Sequence, residues 1–124
     1  MATKRFAKGV WAIALLLIGC SQFDEPRALD ARDYRGCYSA DGLTVRLTPK
    51  NAIVQGQSFP LKIEQRKAGV GLLSPFVIVR TNGQLLPQAA DEHFYRFSSE
   101  DGRRTLIVTD HQSYVYNLHL QPCQ

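Results

Sequence analysis

The sequence predicts a small all-β domain made of short antiparallel strands, and two observations carry this prediction. Apolar and polar residues alternate with a period of two in several segments, for example at Leu43, Val45 and Leu47. This alternation is typical of half-buried antiparallel strands. Turn-forming pairs such as Asn82-Gly83 separate the segments. Because no helical periodicity of useful length follows residue 33, residues 34–124 are predicted to form one β domain.

Alternation and turn signals together predict eight strands, at residues 36–39, 43–48, 52–55, 58–65, 72–80, 93–98, 104–109 and 114–121. Residues 72–79 are almost continuously apolar, which predicts a central strand with a break or an edge at Pro75. Residues 84–92 lack strand character and are predicted to be an apolar loop that caps a barrel end or meets a partner. Tyr114 and Tyr116 fall on the apolar face of the last strand, so they are expected in the core with their hydroxyls at the rim.

The N-terminus differs in character from the rest of the chain. A short basic segment, residues 4–8, precedes an apolar run, residues 9–19, which is followed by Cys20. The run is too short for a transmembrane helix, which needs about 20 apolar residues. The arrangement resembles a bacterial lipoprotein signal peptide, with Leu17-Ile18-Gly19-Cys20 as its lipobox.

This resemblance implies that residues 1–19 form a signal helix that is removed on export. Cys20 then becomes the first residue of the mature protein and carries a covalent lipid with acyl chains such as palmitate. Each buried methylene contributes about 0.8 kcal/mol, so the chains hold the protein on a bilayer. Ser21 is similar to the residue that directs such lipoproteins to the outer membrane of Gram-negative bacteria. The expected location is therefore the cell envelope, at the outer membrane and facing the periplasm, with no cofactor other than the lipid.

Residues 20–33 are predicted to be the lipidated N-terminus and a flexible tether, because they are polar and rich in Asp, Glu and Arg. Fully extended, residues 21–33 reach about 45 Å. The alternative local structure is a short helix over residues 27–32, since Pro26 suits a first helical position.

The two cysteines that remain after Cys20 is assigned to the lipid predict a disulfide. Cys37 and Cys123 lie near the two ends of the β domain, and an oxidising compartment favours their pairing. The bond requires Cα atoms within about 4.4–6.8 Å, so the first and last strands must be neighbours. In a meander this closes a barrel, which favours a small barrel-like meander. A two-sheet sandwich with both termini at one end is the alternative.

The charge of the chain argues against a nucleic-acid partner. The net charge is +4, but three of the 15 basic residues precede Cys20, which leaves 15 − 3 = 12 basic residues against 11 acidic ones. The mature part therefore carries only +1, and no nucleic acid is expected to bind. The adjacent basic pairs Arg66-Lys67 and Arg103-Arg104 flank turns and are predicted to be solvated strand ends.

No motif in the sequence predicts catalysis. The residues that could ligate a metal are His93, His111, His119, Asp91, Glu92 and Asp110. Their spacing matches no recognised metal motif, so no metal site is expected. Asp110, His111 and Ser113 are close in sequence, but in a tight turn this spacing indicates turn chemistry and not a catalytic triad. No catalytic or cofactor-binding residue is predicted, and the protein is not expected to be an enzyme.

These observations predict a lipid-anchored envelope protein whose β domain is a binding or accessory module for a protein or small molecule in the periplasm. The alternative is an inhibitor of an envelope-targeting enzyme such as lysozyme, because small disulfide-bearing β lipoproteins include lysozyme inhibitors. The loop motif of that family is missing here, so the analogy is one of size and location. A small hydrolase or metal-binding enzyme that uses the histidines is the third hypothesis.

Overall fold

The computed structural model describes residues 25–40, 42–100 and 102–124. Within these ranges the chain forms ten strands that belong to one antiparallel sheet, and the sheet curls into a half-barrel. This confirms the predicted all-β, barrel-like meander. The predicted signal peptide, residues 1–19, and the predicted lipidation site, Cys20, lie outside the described residues. In the same ranges, no helix combines the length and the apolar character that crossing a bilayer requires.

The strands are β1 (Arg27–Leu29), β2 (Gly36–Ala40), β3 (Leu43–Leu47), β4 (Asn51–Val54), β5 (Gln57–Pro60), β6 (Lys62–Arg66), β7 (Gly69–Thr81), β8 (Gln84–Glu100), β9 (Arg103–Thr109) and β10 (Val115–Gln121). A short 3-10 helix, η1 (Ala31–Tyr34), lies between β1 and β2. The order in the sheet is β1-β6-β7-β8-β9-β10-β2-β3-β4-β5. Two meanders, β2–β5 and β6–β10, are thus joined side by side by the pairing of β2 with β10.

The apolar positions of the alternating pattern form the core. In β3, Leu43, Val45 and Leu47 are buried, whereas the two residues between them are exposed. Burial of large apolar side chains is the main favourable term that holds such a sheet curled. The largest fully buried side chains are those of Tyr38, Phe76, Leu43, Ile63, Leu72, Ile78, Leu106 and Leu118.

The disulfide between Cys37 and Cys123 is present, as predicted, with 5.3 Å between the Cα atoms. Cys37 in β2 pairs with Gln121 in β10, so the bond lies beside the ladder that joins the first and last strands of the predicted domain. The two half-cystines are separated by 86 positions. Cross-linking across so long a loop removes much of the conformational freedom of the unfolded chain.

Two of the predicted strand assignments are wrong. Residues 84–92 are not a loop, because they form the first half of β8 and pair with β7 from Phe76↔Ala89 to Thr81↔Gln84. The predicted strand 58–65 is two strands, because at Leu61 the chain passes from pairing with β4 to pairing with β7. Neighbouring strands decide both cases, because pairing across a tight turn makes a strand of a segment with weak intrinsic propensity and ends one where the partner changes.

The long β7–β8 hairpin bends in the middle, where Pro75 confirms the predicted break. Ser74 pairs with His93 and Phe76 with Ala89, so Pro75 alone faces residues 90–92 across a register shift. A bulge of this kind bends the strands and increases their twist. The far half of the hairpin therefore folds back toward the β9–β10 loop, where Ile78 forms an isolated bridge with Asp110.

Pro87 lies in the part of β8 that has no neighbour on its outer side. Its partner is Ile78, whose carbonyl accepts a hydrogen bond from the His111 N–H at 2.9 Å. The backbone N–H and C=O groups of Ile78 thus point away from β8. In such a pair the backbone groups of Pro87 point away from β7, toward the open edge of β8. The N–H that proline lacks would face the open edge, where its loss breaks no ladder bond and discourages pairing with another chain.

In the described residues, β5 and the β7–β8 hairpin face each other without a backbone ladder, and we call this line of contact the seam. Side-chain hydrogen bonds close the curled sheet along it. The Ser74 hydroxyl of β7 donates to the Pro60 carbonyl of β5 at 2.7 Å. At the other end of the seam, the Gln55 amide donates to the carbonyls of Gly42, at 3.1 Å, and Leu85, at 3.4 Å. Edge strands that would otherwise be open are held together by these bonds and by core packing.

The predicted tether is shorter than expected. Arg27 pairs with Gln65 and Leu29 with Ile63, so residues 27–29 form strand β1 and not a free linker or a helix. η1 follows, and its last residue, Tyr34, packs against the core. The partly buried apolar residues of this segment bind it to the sheet, which a free tether would not allow. Six residues lie between position 20 and β1, so residues 20 and 27 can be at most about 25 Å apart.

The strand directions define two ends of the half-barrel. We call the end where Arg27 enters the sheet the proximal end, and the opposite end the distal end. The proximal end carries Arg27, the disulfide, and the turns at residues 67–68 and at Gly102. The distal end carries Gly42 and the turns at residues 55–56, 82–83 and 111–114. β9 and β10 each span seven residues, so about 20 Å separates the two ends.

Ser74→Ala tests the closure of the seam. Ser74 is fully buried, and its loss leaves the Pro60 carbonyl without this donor. We expect the free energy of unfolding to fall by about 1–3 kcal/mol in urea denaturation. The control is Ser58→Ala, because Ser58 is exposed and its removal is expected to cost less than about 0.5 kcal/mol. Equal losses in the two variants would contradict the role of Ser74.

Candidate functional site

A groove of about 400 Å³ opens at the distal end of the half-barrel and is the candidate site. We call it the distal groove, and it is lined by Gly42, Gln55, Arg80, Gly83, Gln84, Leu85 and Leu86. Gly42 and Gln55 stand on one side of the seam, and the tip of the β7–β8 hairpin stands on the other. The mouth of a β-barrel is a common place for a binding site, because strand ends leave a concave surface there.

Arg80 lies at the mouth because of its position near the end of β7. It pairs with the buried Leu85, and side chains of directly paired residues point to the same face, so Arg80 leaves the inner face at the rim. Its Nη2 atom donates to the Tyr116 hydroxyl at 2.8 Å. This hydrogen bond to Tyr116 raises the pKa of Arg80 above its ordinary value. The guanidinium is therefore charged and held across the mouth.

Tyr116 connects Arg80 to Asp110. The Tyr116 hydroxyl donates to Asp110 Oδ2 at 3.0 Å while it accepts from Arg80. A hydroxyl that donates to a carboxylate becomes a better acceptor, so the two bonds strengthen each other. The three side chains form one ordered chain, which we call the Arg80 relay. It joins β7 to the start of β10 across the mouth.

The turn after β9 is organised by the Asp110 carboxylate. Its Oδ1 atom accepts from the backbone N–H of Gln112, at 2.8 Å, and of Tyr114, at 3.0 Å. Burial by itself raises the pKa of Asp110, but the backbone bonds from Tyr114 and Gln112 and the bond from Tyr116 outweigh it and lower the pKa. Ser113 takes a positive φ of 68° in this turn, and its N–H donates to the Asp110 carbonyl at 3.0 Å. The loop at residues 110–114 is thus rigid.

This rigid loop presents Tyr114 to solvent, which corrects the prediction that Tyr114 belongs to the core. Tyr114 is 61% exposed because it precedes β10, which begins at Val115. The alternation that governs the strand therefore does not reach Tyr114. Tyr116 does lie on the inner face, partly buried and with its hydroxyl at the rim, as predicted.

The structure does not assemble the other residues considered from the sequence into a site. The Asp110 carboxylate accepts from backbone N–H groups and Tyr116, which confirms turn chemistry for Asp110, His111 and Ser113. His93 Nδ1 lies 2.6 Å from the Asp91 carbonyl, and His119 Nδ1 lies 3.1 Å from the Thr105 hydroxyl. In the described ranges no three His, Cys, Asp or Glu side chains are grouped as a metal would require.

One residue of each basic pair differs from the prediction of solvated strand ends, whereas Lys67 and Arg103 are exposed as predicted. Arg104 lies 4.4 Å above the Tyr34 ring and donates to the Asp33 carbonyl at 2.7 Å, so it fixes η1 at the proximal end. Arg66 bonds Glu64 at 3.0 Å and lies 4.4 Å from the centre of the Phe94 ring. Such cation–π contacts form between residues distant in sequence, and no local pattern reveals them.

Comparison of the chain with models of protein families, with curated proteins and with solved structures finds no match. What the distal groove can bind therefore follows from its own residues. Of the described residues that line it, one is cationic, two are amides, two are leucines and two are glycines. A guanidinium, amide groups and apolar surface can hold a ligand, but they include no nucleophile with a general base. The groove is suited to binding.

Asp110→Asn tests the relay through its pH dependence. Folding lowers the pKa of Asp110 from its ordinary value of 3.8, so the ionised carboxylate stabilises the native state above that value. This contribution is lost as the pH falls through the lowered native pKa, and we expect the free energy of unfolding to decline below about pH 4. The variant is expected to be less stable at neutral pH and to show a smaller decline in acid.

The measurement is urea unfolding across the acidic range, with Asp33→Asn as the control because the Asp33 side chain is exposed in η1. The control is expected to keep the full acid dependence. If Asp110→Asn has the same pH dependence as the unmodified protein, the Asp110 carboxylate does not organise the loop through its charge.

Proposed function

We propose that the protein is lipid-anchored in the cell envelope and that its β domain binds a partner through the distal end. The observation that carries the proposal is the polarity of the half-barrel. The chain that leads from Cys20 joins the sheet at Arg27 at the proximal end, whereas the distal groove lies at the opposite end. A lipid on Cys20 thus leaves the groove facing away from the bilayer.

The short linker supports this orientation. With about 25 Å of chain before β1, the proximal end stays close to the lipid head groups. The two ends are about 20 Å apart along β9 and β10. A partner in the periplasm therefore meets the distal end first.

Exposed apolar side chains are concentrated at this same end. Among the residues whose exposure is described, the large hydrophobic ones that stand in solvent are Leu86 at 38%, Tyr114 at 61% and Val115 at 58%. All three lie at the distal end, where Leu86 lines the groove with Arg80, and Tyr114 and Val115 precede Tyr116, which bonds Arg80. Aromatic residues, arginine and well-placed apolar residues dominate the binding energy of protein interfaces. This composition supports a protein partner.

A second candidate function, inhibition of an envelope-targeting hydrolase, is favoured by the rigidity of the loop at residues 110–114. A loop that is already ordered loses little entropy when it enters a cleft, and this benefits inhibitors in particular. Asp110 orders the loop, and Tyr114 stands at its exposed end. The identity of the partner distinguishes this candidate from an accessory module.

The anchor is tested with Cys20→Ala. We expect the unmodified protein to sediment with membranes and its N-terminal peptide to carry the mass of a lipid. The variant is expected to lose both properties, because the thiol that carries the lipid is missing. Ser21→Ala is the control, since it changes the adjacent position and keeps the thiol. Equal membrane association of the Cys20→Ala variant, together with an unmodified N-terminal peptide, would contradict the anchor.

The distal interface is tested by photo-crosslinking in intact cells. A photoreactive amino acid at Tyr114 or at Leu86 is expected to give an adduct with the same partner. The same group at Lys50 is the control and is expected not to give that adduct. Lys50 is exposed and lies in the turn after β3, at the proximal end where Leu47 pairs with Gly36. Val115→Asp is expected to abolish the adducts without unfolding the domain, because it places a charge in the apolar surface.

A captured peptidoglycan hydrolase that the purified protein inhibits stoichiometrically would favour the inhibitor function. Adducts that form equally from both ends, or that persist in Val115→Asp, would contradict a distal interface.

A further inference from the structure

The distal end carries one cationic side chain in the described part of the chain, and that side chain is Arg80. The ion pairs within the described ranges join Arg32 to Asp30 and Arg66 to Glu64, and both pairs lie away from the mouth. A guanidinium has five N–H donors. Of these, Arg80 uses one in the structure, in the bond from Nη2 to Tyr116. The guanidinium bonds no carboxylate directly, and the Asp110 carboxylate acts on its charge from the far side of the Tyr116 hydroxyl.

The Arg80 relay orients this guanidinium through its Nη2 atom. Because the Tyr116 proton is donated to Asp110, the Tyr116 oxygen accepts from Arg80 and fixes one corner of the guanidinium plane. Asp110 is fixed in turn by the backbone of its own loop. The remaining donors form a rigid fork, which matches the two oxygens of one carboxylate.

Gln55 supplies a complementary acceptor on the opposite side of the groove. Its Nε2 atom donates to the carbonyls of Gly42 and Leu85, so its amide plane is fixed. The amide oxygen on the same plane remains as an acceptor at a groove-lining residue. Leu86 adds an apolar wall that is 38% exposed. The Arg80 cation, the Gln55 hydrogen-bond acceptor and the apolar Leu86 side chain thus line the same groove.

We infer that the distal groove binds the free carboxyl terminus of a polypeptide chain. The terminal carboxylate pairs with Arg80, an amide N–H of the peptide donates to Gln55, and an apolar final side chain lies against Leu86. A single arginine matches the single charge of a carboxylate, whereas phosphate groups are usually bound by several cations. This inference rests on the proposed function and names the chemistry of the partner segment.

The test is an NMR titration of uniformly ¹⁵N-labelled protein purified from the cell envelope in detergent micelles. Three probes are added, namely the tripeptide Ala-Ala-Leu, the same tripeptide with an amidated C-terminus, and acetate. The signals followed are the Arg80 Nε–H and the Gln55 side-chain amide. We expect saturable shifts with the free-acid peptide, and at least about tenfold weaker binding of the amidated peptide and of acetate, because each lacks part of the recognised group.

Variants assign the effect to Arg80. Arg80→Gln is expected to weaken binding of the free-acid peptide by at least about tenfold, so that the free-acid and amidated peptides bind with equal affinity. Arg46→Gln is the matched control, since it removes the same charge from an exposed position in β3. Tyr116→Phe keeps the Arg80 charge but removes the hydroxyl that accepts its hydrogen bond. We therefore expect a smaller loss of peptide affinity, of about threefold. The dispersion of backbone amide signals reports whether each variant is folded.

Three results would overturn the inference. They are equal binding of the free-acid and amidated peptides, an equal effect of Arg80→Gln and Arg46→Gln, and no shift at about 10 mM peptide. Acetate that binds as well as the peptide would show a site for small carboxylates and would also overturn it. Failure here is separable from failure of the proposed function, because crosslinking from Tyr114 and the lipid on Cys20 are measured without reference to Arg80.

Discussion

The pairing of β2 with β10, fixed by the Cys37–Cys123 disulfide, is the constraint on which the rest of the structure depends. Without it the two meanders are separate ribbons, each with an open edge at this position. The half-cystines are 86 positions apart, and a loop of that length corresponds to about 4.5 kcal/mol in the chain-entropy model. Small domains have only about 5–15 kcal/mol of total stability, so this single bond is a large part of it. By joining β2 to β10, it also sets the two ends of the half-barrel.

The remaining closure relies on side chains, and this leaves a mouth. A continuous ladder between β5 and β7 would seal the barrel, but among the described residues the hydrogen bonds across the seam are those of Ser74 and Gln55. The Arg80 relay spans the mouth in a similar way, from β7 to Tyr116 in β10. Gln55 and Arg80 therefore contribute both to closure and to the surface of the groove. A substitution at either residue is expected to affect stability as well as binding, which is why folded controls are needed at this site.

Local patterns in the sequence were sufficient for the fold class and insufficient for the site. The alternation around Val45 predicted β3, and the cysteine count predicted the bond to Cys123. Residues 84–92 were missed as a strand because Pro87, Ala89 and Ala90 have low β propensity, although the turn at residues 82–83 sets residues 84–89 directly beside residues 76–81. The Arg80 relay was missed because Arg80 and Tyr116 are 36 positions apart. Nothing in the neighbourhood of either residue indicates the other, so only the folded sheet brings them together.

The proposed polarity of the domain relative to the bilayer is the central claim. It is most directly tested with protein that carries the proposed lipid, in nanodiscs that contain a gadolinium chelate on the lipid head groups. Gadolinium broadens the NMR signals of nearby amides in a strongly distance-dependent manner. The account predicts strong broadening at the proximal residues Gly102 and Gln121, and little broadening at the distal residues Gly42 and Gly83. Uniform broadening, or stronger broadening at the distal end, would contradict it.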